Sequence, residues 1–271
     1  MSLTKEAIQL ITDTALEAAG KTLSTLIPTV VLPDGAKIVN LEQFQLGRSR
    51  FRGSYATHSL ADFSAYVAGR AAPGAQGFIN QDEMSCILLF NLGTVAEPGH
   101  ADDRAILKLK ATAGYTAAQN IGGRGISQKD LSDWIEDWHQ YLTPIDDAGA
   151  AIPVAKAIAA VRTITIKATS ESETTVGETS ASRSAMDQIE ARSKETLPVA
   201  LQFRTIPFEG LTEQQITLRL SVITSGAQPV LKLRWVGEEV QREDIGQEFK
   251  AVLQRNIGDA ATLSLGSFDP K

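Results

Sequence analysis

Ile216-Thr217-Leu218-Arg219-Leu220-Ser221-Val222-Ile223-Thr224, then Ser225-Gly226-Ala227-Gln228-Pro229, then Val230-Leu231-Lys232-Leu233-Arg234-Trp235-Val236: the fold class turns on how this stretch is read. Ile216, Leu218, Leu220 and Val222 alternate with Thr217, Arg219 and Ser221. Leu231, Leu233 and Trp235 alternate with Lys232 and Arg234. Period-two alternation is the mark of a strand with one buried and one solvated face. The Ser-Gly-Ala-Gln-Pro insert reads as the loop of a hairpin. Residues 199–208 read as a third strand just before it. Three strands in succession, with no helix between them, favour antiparallel pairing and an α+β fold over a doubly wound parallel one.

Outward from this core, 238–257 reads as a closing helix with Ile245, Phe249, Val252 and Leu253 inward, and 261–265 as a last short strand. On the N-terminal side, 152–160 reads as a helix. Leu131, Trp134, Ile135, Trp138 and Leu142 recur at three- and four-residue steps, which predicts a helix over 128–142, capped by Ser127 and stopped by Pro144. A shorter helix is expected over 113–121 and another over 60–69, started by Ser59. Cys86-Ile87-Leu88-Leu89-Phe90 is continuously apolar and suits the centre of a sheet. Strands are also expected at 77–80 and 105–110, a hairpin at 29–39, a short helix at 41–46, and an amphipathic helix over 4–20 ending at Gly20. The expected architecture is a single α+β domain over 1–271, mainly antiparallel sheet with flanking helices. A Thr/Ser/Glu-rich segment, 163–196, projects from it as a polar strand or arm.

The chain has 271 residues, a formal charge of −6 and 43 % hydrophobic residues. It has no run of roughly 18 apolar residues to span a bilayer, so no membrane partner is expected. Its one cysteine, Cys86, excludes an internal disulfide framework. The net charge is wrong for a protein that binds polyanions with its whole surface, yet Arg48, Arg50 and Arg52 fall within five residues. In a strand, their spacing places all three guanidinium groups on one face and Phe51 on the other. Arg48, Arg50, Phe51, Arg52 and Tyr55 are therefore candidate nucleic-acid contacts, against the plainer reading of a solvated strand face or an intersubunit salt-bridge row.

Other chemistry is harder to assemble. His100 and Asp102 with His139 imitate a two-histidine, one-carboxylate iron site, but His100 is in a Pro-Gly loop and His139 on a charged helix face. Glu136-Asp137-Trp138-His139 has the di-iron spacing, without the second copy such a site requires. Gly122-Gly123-Arg124-Gly125 lacks the Lys-Ser/Thr and the preceding strand of a phosphate loop. Cys86 in an apolar strand reads as packing. No catalytic set, no metal site and no cofactor is expected, and the protein reads as a non-enzyme. The 163–176 strand is polar on both faces, a type that pairs promiscuously with other chains. Thr165, Thr169, Thr175 and Trp235 are accordingly candidate contacts of a homo-oligomer, with Trp235 open to a core reading as well.

Four segments in order resemble a family of phage- and prophage-encoded proteins, the YfdQ-like family. They are Arg48-Ser49-Arg50-Phe51-Arg52-Gly53 with 60–67, His100-Ala101-Asp102-Asp103-Arg104 with 105–109, Ser127-Gln128-Lys129-Asp130-Leu131 with 134–137, and Pro207-Phe208-Glu209-Gly210 with 216–220. The resemblance implies a phage accessory protein, expected in the bacterial host cytoplasm, and carries over no catalytic residue. Two functions follow as expectations: a non-enzymatic protein that self-assembles into a homo-oligomer, or a nucleic-acid-binding accessory of phage recombination or replication.

Overall fold

Apolar-polar alternation becomes two five-stranded sheets in the computed structural model, which describes residues 4–19, 40–70, 73–164, 196–223 and 230–270. The chain divides into two units, Met1–Phe51 and Arg52–Lys271. In the first, helix α1 spans Lys5–Ala19, and its Ala7 N–H donates to the Thr4 hydroxyl at 3.3 Å. A 3-10 turn spans Glu42–Phe44, in place of the helix expected over 41–46. The Gly20 stop and the hairpin at 29–39 lie outside the described residues.

The second unit runs β1 (Gly53–Thr57), α2 (Leu60–Gly69), β2 (Gln76–Asn80), β3 (Ser85–Leu89), β4 (Asp103–Lys108) and α3 (Ala113–Ile121). It continues with β5 (Gly125–Ile126), α4 (Gln128–Asp137), β6 (Leu142–Ile145), α5 (Val154–Arg162) and β7 (Ala200–Thr205). It ends with β8 (Gln214–Ile223), β9 (Val230–Trp235), α6 (Glu238–Ile257) and β10 (Thr262–Leu265). The first sheet has the order β1-β4-β3-β2-β10, and the second β5-β9-β8-β7-β6. The fold is α+β with mostly antiparallel pairing. The exceptions are β1 on β4 and β10 on β2, which pair in parallel at the two edges of the first sheet.

Serine caps start two helices as their spacing predicts. The Ser59 hydroxyl accepts from the Asp62 N–H at 3.2 Å, and the Ser127 hydroxyl accepts from the Asp130 N–H at 3.1 Å. Each satisfies a donor that the first turn leaves open. The expectation of one helix over 128–142 fails. Helix α4 ends at Asp137, a 3-10 turn takes His139–Tyr141, and Leu142 begins an edge strand. Pro144 is tolerated there because an edge strand has one side with no ladder to donate to. The polar arm expected over 163–196 lies almost wholly outside the described residues.

One apolar cluster runs through this unit, from Phe63 and Cys86 through Phe203 and Leu233 to Phe249. Phe203 sits at its most crowded point. Its ring lies 5.7 Å from Trp134, 6.4 Å from Trp138 and 5.4 Å from Tyr141, so one side chain ties β7 to α4 and the turn after it. Replacing Phe203 with alanine empties a fully buried ring site. The expected loss is about 3–5 kcal/mol, read as a lower urea midpoint with an unchanged slope.

Candidate functional site

Arg48, Arg50 and Phe51 belong to the first unit, Arg52 and Tyr55 to the second. The arginine segment is not a strand. The backbone bends through residues 45–50, and regular pairing begins only at Gly53. The cause is local: the Ser49 N–H and hydroxyl both donate to the Glu42 carboxylate, at 3.0 and 2.9 Å. This contact curls the chain back toward its 3-10 turn, so the strand on which a single arginine face was expected does not form. Phe51 is exposed, and Arg50 and Arg52 are half-buried.

Tyr55 is the one candidate that lands in a built cluster. From β1 its ring stacks on Tyr66 of α2, centroids 4.2 Å apart. Tyr66 meets Phe90 edge-on at 6.2 Å. The Arg70 guanidinium lies 4.9 Å from the Phe90 ring centroid and 5.5 Å from that of Tyr66, within cation–π range of both. Arg70 donates to the Tyr66 hydroxyl at 3.1 Å and pairs with Asp103 Oδ2 at 2.5 Å. Arg70 follows the end of α2, where a cation also suits the helix dipole. Asp103 opens β4, and the Asn91 side chain joins it to its neighbour. The Asn91 amide donates to Asp102 Oδ1 at 2.9 Å, and its carbonyl oxygen accepts the Asp103 N–H at 3.1 Å. The loop returns so closely at Gly99 that the Asn91 carbonyl leaves no room for a Cβ.

Asp103 is only 6 % exposed, and its Oδ1 finds no hydrogen-bond partner among the described residues. Burial raises the pKa of its carboxyl. The Arg70 charge opposes that shift, and the Asp102 charge adds to it. The ensemble is a clamp that fastens α2 to the ends of β3 and β4, with Tyr55 as its outer edge. Tyr66 in the last turn of α2 and Arg70 just beyond its end, four residues apart, were the legible part of it.

The remaining candidates disperse. The His58 and His139 rings each bond a backbone carbonyl through Nδ1, of Lys108 at 2.6 Å and of Glu136 at 2.8 Å. Glu136 pairs with Arg162 at 3.2 Å. Among the described residues, no three His, Cys, Asp or Glu side chains gather as metal ligands would. Cys86 is fully buried, and burial pushes its thiol up to about 12. A cleft of about 490 Å³ opens beside α6, lined by Gln81, Asp82, Gln119, Arg242 and Glu243. Its cation is engaged, since Arg242 pairs with Glu238 at 2.7 Å. Trp235 is 5 % exposed. It meets Tyr115 edge-on at 5.8 Å and donates to Gln241 at 2.7 Å, so its ring belongs to the core rather than to an outer face. Thr165, Thr169 and Thr175 lie outside the described residues. Sequence reasoning passed over Arg204, Arg219, Lys232 and Arg234, which the strand pairing puts on the outer face of the second sheet. Their signal was the polar half of the alternation itself.

Replacing Arg70 with methionine leaves Asp103 buried without its counter-charge, at an expected cost of about 3–5 kcal/mol near neutral pH. The sign of the pH effect follows from the raised pKa. The native carboxyl holds its proton more tightly than the unfolded one, so this group favours the native state in acid. That contribution fades as pH rises past the unfolded value of 3.8. Without Arg70 the carboxyl takes up its proton at still higher pH, and a neutral acid needs no counter-charge. The stability deficit of Arg70→Met should therefore shrink between pH 7 and about pH 4.5 in urea titrations. An equal deficit at both would show that lost packing of the arginine stem dominates.

No curated protein and no solved structure matches the chain. No helix among the described residues is long and apolar enough to cross a membrane. One family model, described as an uncharacterized conserved protein (DUF2303), matches residues 4–268. With nearly its whole length covered, the chain belongs to the DUF2303 family.

Proposed function

We propose that this is a phage- or prophage-derived accessory protein without enzymatic activity, which self-assembles into a homo-oligomer in the bacterial cytoplasm. The observation that carries assembly is the imbalance of the first unit. None of its described side chains is buried, yet Ile8, Leu10, Ile11 and Leu16 on α1, with Leu41, Phe44, Leu46 and Phe51, are all exposed. A 15-residue helix is marginal in water unless its apolar stripe is covered. Monomers rarely leave so much apolar surface open, and symmetric copies of one chain are the commonest way to close it. The phage setting rests on the four resembling segments. The non-enzymatic reading is supported by how the described titratable groups are used: His58 and His139 on backbone carbonyls, Asp103 on Arg70, and Cys86 held as a neutral thiol.

Multi-angle light scattering at micromolar concentration should give one oligomer. Ile8→Asp with Ile11→Asp should shift it to a smaller species without unfolding the sheets. A monodisperse monomer of the parent chain would overturn the reading.

The charge density at Arg48, Arg50 and Arg52 supports a second reading, a nucleic-acid-binding accessory of recombination or replication. Replacing all three with alanine should then weaken oligonucleotide binding at low salt, measured by fluorescence anisotropy. Unchanged affinity would remove these residues from that role.

A further inference from the structure

The second sheet has two unlike faces. Its inner face is apolar and holds the helices through contacts such as Trp134 on Phe203 and Tyr115 on Trp235. Its outer face carries Arg204 on β7, Arg219 on β8, and Lys232 and Arg234 on β9. Arg204, Arg219 and Arg234 are exposed, and Lys232 is half-buried. No Asp or Glu occupies an outward position on any strand of this sheet. In a chain of net charge −6, that is a marked segregation.

The register makes it costly. Arg219 and Arg234 are direct cross-strand partners, with Cβ atoms about 5 Å apart, and like charges so placed are destabilising. Among the described residues, Arg219, Lys232 and Arg234 take part in no ion pair and no side-chain hydrogen bond. Arg204 is held only by a neutral group, Gln215, at 3.1 Å.

We infer that this face binds the phosphate backbone of nucleic acid without reading its bases. Outward residues on one strand repeat about every 7 Å, so the four cations run diagonally over three strands for on the order of 20 Å. That is an extended track for a repeating anion, not a pocket for a single one. Three of the four are arginines, whose forks match phosphate oxygens two at a time. Thr217 and Ser221 stand between them as hydroxyl donors, the usual company of phosphate contacts. Among the described residues, no aromatic ring lies on the face to stack on a base. Nor is there an apolar anchor at its centre, as a protein partner would need; Ile223 and Val230 sit at the hairpin end. This rests on the nucleic-acid reading but assigns it to residues other than Arg48, Arg50 and Arg52, so the two can fail separately.

The test uses the full chain with a labelled 20-mer, single-stranded and duplex in separate arms. Anisotropy is measured between 50 and 200 mM salt. With four phosphate contacts, log affinity for the single strand should fall with log salt at a slope of about three. Arg219→Gln with Arg234→Gln should weaken binding at least tenfold and halve that slope. It should also leave or raise the melting temperature without ligand, because a like-charge pair is relieved. Arg204→Gln with Lys232→Gln gives an independent loss. Several results would overturn the inference: no binding at 50 mM salt, parent-like binding by both double variants, or equally tight binding of polyglutamate. The last would assign the face to an acidic protein. If only the Arg48, Arg50 and Arg52 replacements abolish binding, the site is at that segment and not on the sheet.

Discussion

The register of β8 is the constraint on which the larger unit depends. It is paired along both sides, with β7 and β9, and its side chains alternate strictly in their facing. A shift of one residue would turn Ile216, Leu218 and Leu220 to solvent and drive Arg219 into the apolar layer. Burying an unpaired guanidinium there costs far more than any ladder bond returns. The same alternation that fixes the pairing therefore fixes where the helices dock and which surface bears the cations. Core and charged face are two readings of one period-two pattern.

The first sheet is held differently. Its central strand, β3, is apolar enough to be covered on both sides, but the end of the sheet at Phe90 and Asp103 is pinned by an ion pair. A nearly buried carboxylate gains little net stability from its arginine, because the cost of desolvation offsets most of the attraction. What the pair contributes is position. Arg70 reaches Asp103 from the end of α2, and its guanidinium rests against both the Tyr66 and the Phe90 ring. The helix is thus fixed at one angle and one height, where apolar contacts alone would tolerate sliding.

Much of this was legible because its causes are local. Ser59 and Ser127 start helices that begin where their hydroxyls say. Helix α6 follows its apolar spacing from Glu238 to Ile257. The failures share a cause: a contact that no short window contains. Helical spacing continues from Trp138 to Leu142, yet the chain leaves the helix at Asp137 because Leu142 pairs with Phe203, 61 residues later. Arg48 to Arg52 have strand spacing, but a carboxylate from Glu42 captures Ser49 first. The parallel pairing of β1 with β4, and of β10 with β2, depends on which distant strand is adjacent, which alternation cannot specify. Tyr66 and Arg70, four residues apart across the end of α2, could be seen together; their partner Asp103 could not.

Charge follows the same division. Net charge is a sum over the chain and carries no position, so −6 is compatible with a face that has cations and no acid. The acids are elsewhere: Glu238 and Glu243 lie on α6, and Asp133 and Glu136 on α4, where several pair with arginines of the same region. Pairing consumes those arginines. The three arginines and one lysine on the outer face of the second sheet are left out of it because strand geometry spaces outward side chains in fixed rows, and these rows hold no acid. The register that buries Leu218 and Leu220 also sets Arg219 against Arg234, and burial of the apolar rows outweighs that repulsion.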